Sequence, residues 1–127
     1  MRTLRFFLLA SLMMVCSTSV FADKNDKLIY NNEEVNGLMV TQTVYKNDNS
    51  MLTNFMQYNY KYDDQNRMIE NLSKKWNDSK NEWQNDMSIR YTYEGKMVTT
   101  SYYKWNKSKK QFQLIPEMTV TMDNTNL

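Results

Sequence analysis

The sequence predicts an all-β protein: an antiparallel meander of repeated β-hairpins forming one curved sheet, either open or partly closed into a barrel. Three observations point there. Apolar and polar residues alternate with a period of two over long stretches, as in Met87, Ile89, Tyr91 and Tyr93 against Asp86, Ser88, Arg90 and Thr92. Short polar segments interrupt the alternation at hairpin spacing. One unit occurs twice.

The N-terminus comes first. Arg2 and Arg5 precede an apolar core from Phe6 to Cys16, too short to cross a bilayer as a helix. Val20-Phe21-Ala22 then offers small residues to a signal peptidase. Residues 1–22 read as a helical secretory signal peptide, cut before Asp23. Acylation at Cys16 is the rival, but Val15 is a poor residue to precede a lipidated cysteine. The expectation is export to the periplasm, the outer surface or the medium, with no transmembrane helix after cleavage.

Residues 23–127 then form one domain of 105 residues, enough for a modest core. The 16 Lys and Arg of the chain lose Arg2 and Arg5, leaving 14 against 14 Asp and Glu. Net charge near zero removes the main electrostatic argument for a nucleic-acid partner. The domain has neither Cys nor His, so it cannot form an internal disulfide. With two Gly and one Pro, its many Asn are expected to supply the left-handed turn conformations.

Along the domain, turns are expected at Asn47–Ser50, Asp63–Arg67, Asn77–Asn81, Glu94–Lys96 and Asn106–Lys110. The strands between them carry the repeat. Lys75-Trp76-Asn77 returns as Lys104-Trp105-Asn106, Ser79-Lys80 as Ser108-Lys109, and Trp83-Gln84 as Phe112-Gln113. The offset is 29 residues, and it extends back to Arg67-Met68-Ile69 and Lys96-Met97-Val98. Tyr45 to Leu52 is a fainter copy. Repeats of this length are one supersecondary unit used again.

A straight register pairs Trp76 with Trp83, Leu72 with Met87 and Met68 with Tyr91. It pairs Trp105 with Phe112, Tyr103 with Leu114 and Met97 with Val120, and links the units through Tyr93 opposite Met97. Those residues then share one apolar face with Tyr58, Tyr60 and Tyr62, while Glu70, Lys74 and Asn85 interrupt it near strand ends or an opening. So large a face needs covering, by curling of the sheet or by a second chain. The last strand, Met118 to Met122, is expected to offer an edge for strand addition.

Few catalytic systems survive this composition. Without His or Cys, serine–histidine and cysteine–histidine nucleophiles are excluded, and zinc lacks its usual ligands. Asp63-Asp64 reads as turn capping, since Asp and Asn bond neighbouring backbone amides. Asp63 to Asn66 and Asn47 to Asn49 also offer oxygens to calcium, but lack the glycine and distal Glu of an EF-hand. No catalytic residue, metal or cofactor is assigned. The candidate ligand-binding residues are Trp76, Trp83, Trp105, Tyr102 and Tyr103. Their rings suit sugar stacking or a protein interface. Alternation places Tyr102 on the polar face.

Tyr60-x-Tyr62-Asp63-x-x-Asn66-Arg67-Met68-Ile69 resembles the tyrosine–aspartate hairpin repeat of Rhs-type and teneurin-type shells, with Asn66 in place of Gly. Those families enclose a partner within large β-shells, and two copies here are too few for that. The whole chain resembles the small, secreted, Asn/Lys/Tyr-rich proteins of unknown function from Bacteroidota-type bacteria. That resemblance implies an exported location and no activity. The function expected is therefore a non-enzymatic interaction or structural module of the envelope or the medium. Its partner would be a protein or a second copy, met at an open edge or apolar face. The alternative is a carbohydrate-binding module using Trp and Tyr.

Overall fold

The computed structural model describes residues 28–124. The signal peptide expected at residues 1–22 lies outside them. Eight strands form a single antiparallel sheet: β1 (Leu28–Val35), β2 (Leu38–Asp48), β3 (Met51–Tyr62), β4 (Met68–Asn77), β5 (Glu82–Glu94), β6 (Met97–Asn106), β7 (Gln111–Leu114) and β8 (Val120–Asp123). Spatial order follows chain order from β1 to β7, and β8 pairs with the far half of β6. The sheet is open, with β1 at one edge and β7 and β8 at the other.

Asparagine does take most of the left-handed turn positions. Asn36, Asn49, Asn66 and Asn81 have φ between 48° and 60°, joined by Ser50, Lys110 and the two glycines. Asn36-Gly37, both at positive φ, forms a two-residue turn between Val35 and Leu38. That is the type I′ pattern whose twist matches its strands. Asn49-Ser50 does the same between Asp48 and Met51.

The Asp63 turn is built by one carboxylate. Its Oδ1 accepts the amides of Gln65 and Arg67, each at 2.9 Å, and its Oδ2 takes Arg67 Nε at 2.8 Å. These bonds, the Arg67 amide first, hold the Asp63 carboxyl below its ordinary range. With both oxygens engaged in the turn, Asp63 is a cap.

The register holds at the hairpin ends and slips elsewhere. Trp76 pairs with Trp83, Trp105 with Phe112, and Tyr103 with Leu114, as expected. Between Lys74–Asn85 and Ser73–Met87, however, β5 carries one extra residue, Asp86. This β-bulge puts Ser73, not Leu72, opposite Met87, and Leu72 meets Ser88. A second, with Ile69 as the extra residue of β4, sets Glu70 opposite Lys61 and Met68 opposite Tyr62, and Met68 does not pair with Tyr91. The turn after β5 is also tighter than expected. Glu94 pairs with Met97 and Tyr93 with Val98, leaving a two-residue turn at Gly95-Lys96. At the C-terminal edge, a 3₁₀ turn at Pro116–Met118 inserts between β7 and β8, so Val120 meets Thr100 and Met97 meets Asp123. Met118 therefore belongs to the turn and not to a strand.

The slip has a large consequence. A one-residue shift sends every later side chain to the other face. The expected single apolar face becomes two. Met56, Tyr58, Tyr60, Tyr62, Met87, Ile89, Tyr91, Tyr93 and Tyr102 share a tyrosine face; Leu72, Trp76, Trp83, Tyr103, Trp105, Phe112 and Leu114 share a tryptophan face. Tyr102, placed on the polar face by simple alternation, lies opposite Ile89 among the tyrosines. Neither face is covered by a second layer, and Val44, flanked by Tyr30 and Met56, is the one buried apolar residue among those described.

Replacing Asn66 by Ala should destabilise the fold by about 1–2 kcal/mol, because Ala does not tolerate φ of 60°. Replacing it by Gly should leave stability within a few tenths of a kcal/mol. Urea unfolding of the two variants checks the difference, and equal losses would contradict the turn geometry.

Candidate functional site

The repeat places two like hairpin ends side by side. In each, a four-residue connection follows an Asn whose side chain caps it. Asn77 Oδ1 accepts the Lys80 amide at 3.0 Å, and Asn106 Oδ1 accepts the Lys109 amide at 2.9 Å. The last loop residue, Asn81 in one and Lys110 in the other, has positive φ. An aromatic pair closes each end. Trp76 and Trp83 meet edge-to-face with centroids 5.1 Å apart, and Trp105 and Phe112 at 4.9 Å.

Between the two ends lies a cleft of about 340 Å³. Trp83 of β5 and Trp105 of β6 line it, with Lys80 from one turn and Lys107 and Lys110 from the other. Glu82, Gln84 and Asn85 complete the lining, and Gln84 Nε2 donates to Glu82 Oε1 at 3.3 Å. Both indoles are half-buried, so ring surface remains for a ligand.

Of the five aromatic residues singled out from the sequence, Trp83 and Trp105 meet at this cleft. Trp76 stands behind Trp83 as its brace. Tyr103 is on the same face but under Arg90, whose guanidinium lies 4.1 Å from its ring centroid and 5.8 Å from that of Phe112. Tyr102 is on the opposite face and belongs to no shared site with the tryptophans. The cleft lysines were missed by sequence reasoning, since charged turn residues ordinarily face solvent. Their signal is the alignment of Asp78-Ser79-Lys80-Asn81 with Lys107-Ser108-Lys109-Lys110 across two ends that both begin Trp-Asn. Asn85, expected near an opening, lines the cleft; Glu70 instead holds a polar core beside it. Ser88, fully buried, donates to Glu70 Oε2 at 2.9 Å and accepts from Arg90 Nε at 3.2 Å, while Arg90 Nε is 3.3 Å from the same carboxylate oxygen.

On the other face the tyrosines interact. Tyr62 Oη donates to the Met39 carbonyl at 2.7 Å, and Tyr93 Oη to the Met68 carbonyl at 2.6 Å. Arg67 lies 4.4 Å from the Tyr93 ring centroid. Burial, then the neighbouring phenols, raises the pKa of Tyr60 and of Tyr91 above the ordinary 10.0. The bulge residue Asp86 is held on this side by Lys104 Nζ at 2.6 Å and Lys75 Nζ at 3.4 Å. Burial alone would raise its pKa, but the two lysines outweigh it and bring it below 3.8.

The family model that matches residues 1–123 is a family of unknown function, DUF3836. The chain belongs to this family. A DUF3836 protein from Bacteroides vulgatus is 57% identical and superposes with a TM-score of 0.74, over 77% of this chain and 100% of that one. A DUF3836 protein from Parabacteroides distasonis is 26% identical, with a TM-score of 0.66 over 78% and 92% of the two chains. A protein of unknown function from Bacteroides fragilis shares the fold at 23% identity and a TM-score of 0.65, over 72% and 68%. No curated protein matches. The resemblance to Bacteroidota-type proteins of unknown function is thus the family itself, and DUF3836 membership brings no activity with it.

The tyrosine face should respond at both ends of the pH scale. The folded pKa of Asp86 is lowered, so its contribution is present above pH 3.8 and lost as pH falls through the folded value. The folded pKa values of Tyr60 and Tyr91 are raised, so their contribution is full below pH 10.0 and lost as pH rises through the folded values. Melting temperature against pH should fall at both ends. Asp86→Asn should flatten the acid limb alone, and Tyr60→Phe with Tyr91→Phe the alkaline limb alone.

Proposed function

We propose that this protein is an exported, non-enzymatic binding module that holds a sugar in the Trp83–Trp105 cleft. The observation that carries the reading is the pairing of two half-buried indoles at one small cavity that Asn85 also lines. A sugar ring has apolar C–H faces and a hydroxylated rim. Flat aromatic surface takes the faces, and Gln84 and Asn85 can both donate to and accept from the hydroxyls. The cavity is within the range of small-ligand sites, roughly 300–1,000 Å³. Each indole is braced from behind by a second ring, Trp76 or Phe112, so its orientation is fixed before a ligand arrives.

Binding without turnover is favoured because glycosidic cleavage ordinarily needs two carboxylates across the scissile bond. Among the described residues, Glu82 is the one carboxylate lining this cleft. A second reading, an interaction module for a protein partner or a second copy, is favoured by the C-terminal edge. There Leu114, Val120 and Met122 are exposed, Met122 to 64%.

A glycan array spanning plant, host and bacterial oligosaccharides tests the sugar reading. Binding is expected, and Trp83→Ala or Trp105→Ala should each weaken it by at least about 2 kcal/mol, the loss typical of a central aromatic anchor. Silence across the array would sink the sugar reading. Light scattering after size exclusion tests the second: a strict monomer would count against self-association at the edge.

A further inference from the structure

We propose, building on the sugar reading, that the cleft selects acidic saccharides: sugars carrying a carboxylate or a sulfate. Three lysines and one glutamate line it. Elsewhere on the sheet three lysines are matched by carboxylates. Lys61 pairs with Glu70, and Lys75 and Lys104 share Asp86. Among the described residues, Lys80, Lys107 and Lys110 have no such carboxylate partner, and Glu82 interacts with Gln84 instead. The positive charge is local, because residues 23–127 are balanced at 14 cations and 14 acids. Three ammonium groups outnumber the one carboxylate of Glu82 around this small cavity, which gives an anion a favourable potential.

Lys110 supplies an independent argument. It sits at φ 51°, the left-handed conformation that its counterpart Asn81 adopts at φ 54°. Asparagine tolerates that conformation and lysine does not readily do so. The second repeat therefore accepts backbone strain at the residue that brings a cation to the cleft. The first turn has Asp78 and Asn81 where the second has Lys107 and Lys110, and of these four residues the two lysines line the cavity. Strain held at a ligand-lining position is a mark of function.

Rings and lysines also suit single-stranded nucleic acid, but that needs a groove tracking successive phosphates over roughly four or more nucleotides. One compact cavity of about 340 Å³ between two turns fits a short saccharide better.

The test is calorimetric titration of the purified protein with matched neutral and acidic ligands. Oligogalactosides are set against oligogalacturonides, desulfated against sulfated chondroitin fragments, and an oligothymidylate is the third arm. Acidic sugars should bind about tenfold tighter than their neutral counterparts at low salt. The triple variant Lys80→Gln, Lys107→Gln, Lys110→Gln should erase that preference, bringing each acidic ligand to the affinity of its neutral counterpart. Lys110→Asn alone should raise the melting temperature while weakening acidic binding two- to threefold, by order of magnitude. Equal affinity for neutral and acidic sugars, or a preference that survives the triple variant, overturns the selectivity. If Trp83→Ala still abolishes binding in that case, the sugar reading stands without it. Oligothymidylate binding tighter than any sugar, or no sugar bound at all, overturns both.

Discussion

Two register shifts, at Ile69 of β4 and Asp86 of β5, decide what each face of this protein contains. Asp86 is the extra residue of β5, and the ammonium groups of Lys104 and Lys75 hold it on the tyrosine side. The bulge changes the phase of β5 between Asn85 and Met87. On its turn side, Trp83 faces the same way as Trp76; beyond it, Met87, Ile89, Tyr91 and Tyr93 face the other. In a straight strand all of these would line one face, and the sheet would carry a single apolar surface beyond what an uncovered layer tolerates. The bulge divides it. It also turns the tryptophans toward the cleft and leaves them there without the tyrosines.

The divided sheet explains how one layer persists with almost nothing fully buried. Its side chains are shielded mostly by neighbours on adjacent strands, and most strand residues are half-buried. Cross-strand pairs therefore carry the packing, and edge-to-face rings secure both hairpin ends. Several covered polar groups are matched, Ser88 by Glu70 and Arg90, and Tyr62 and Tyr93 by backbone carbonyls, while the buried Asn71 Oδ1 is not. Arg90 serves twice, as the cation above Tyr103 and as the partner of Glu70. The hairpin ends are the most defined parts, each capped by an Asn and closed by two rings. A rigid end is where a preorganised site belongs.

Much of this was legible in the residues. Period-two alternation and the 29-residue echo gave the meander and the matched hairpin ends. Scarcity of glycine pointed to Asn in the left-handed turns, and Asn36, Asn49, Asn66 and Asn81 take them. The Asn36-Gly37 hairpin was missed, although that dipeptide fits a type I′ turn. The bulge was not legible. An extra residue breaks the period without any residue type to announce it, and Asp86 looks like one more outward-facing acid. Pro116 marks a break near the last strand, but not the three-residue offset that the 3₁₀ turn introduces. For the site, the two cleft tryptophans were readable as aromatic anchors. Their separation from Tyr102, and the lysines beside them, depend on the face switch and on two turns lying side by side, neither of which a linear count contains.

The face switch is best tested by cross-strand nuclear Overhauser contacts on the isotopically labelled protein. Contacts of Leu72 with Ser88, Ser73 with Met87, and Ile89 with Tyr102 are the predicted result. Contacts of Leu72 with Met87 and of Met68 with Tyr91 would restore a straight register and one aromatic face, and would contradict the account.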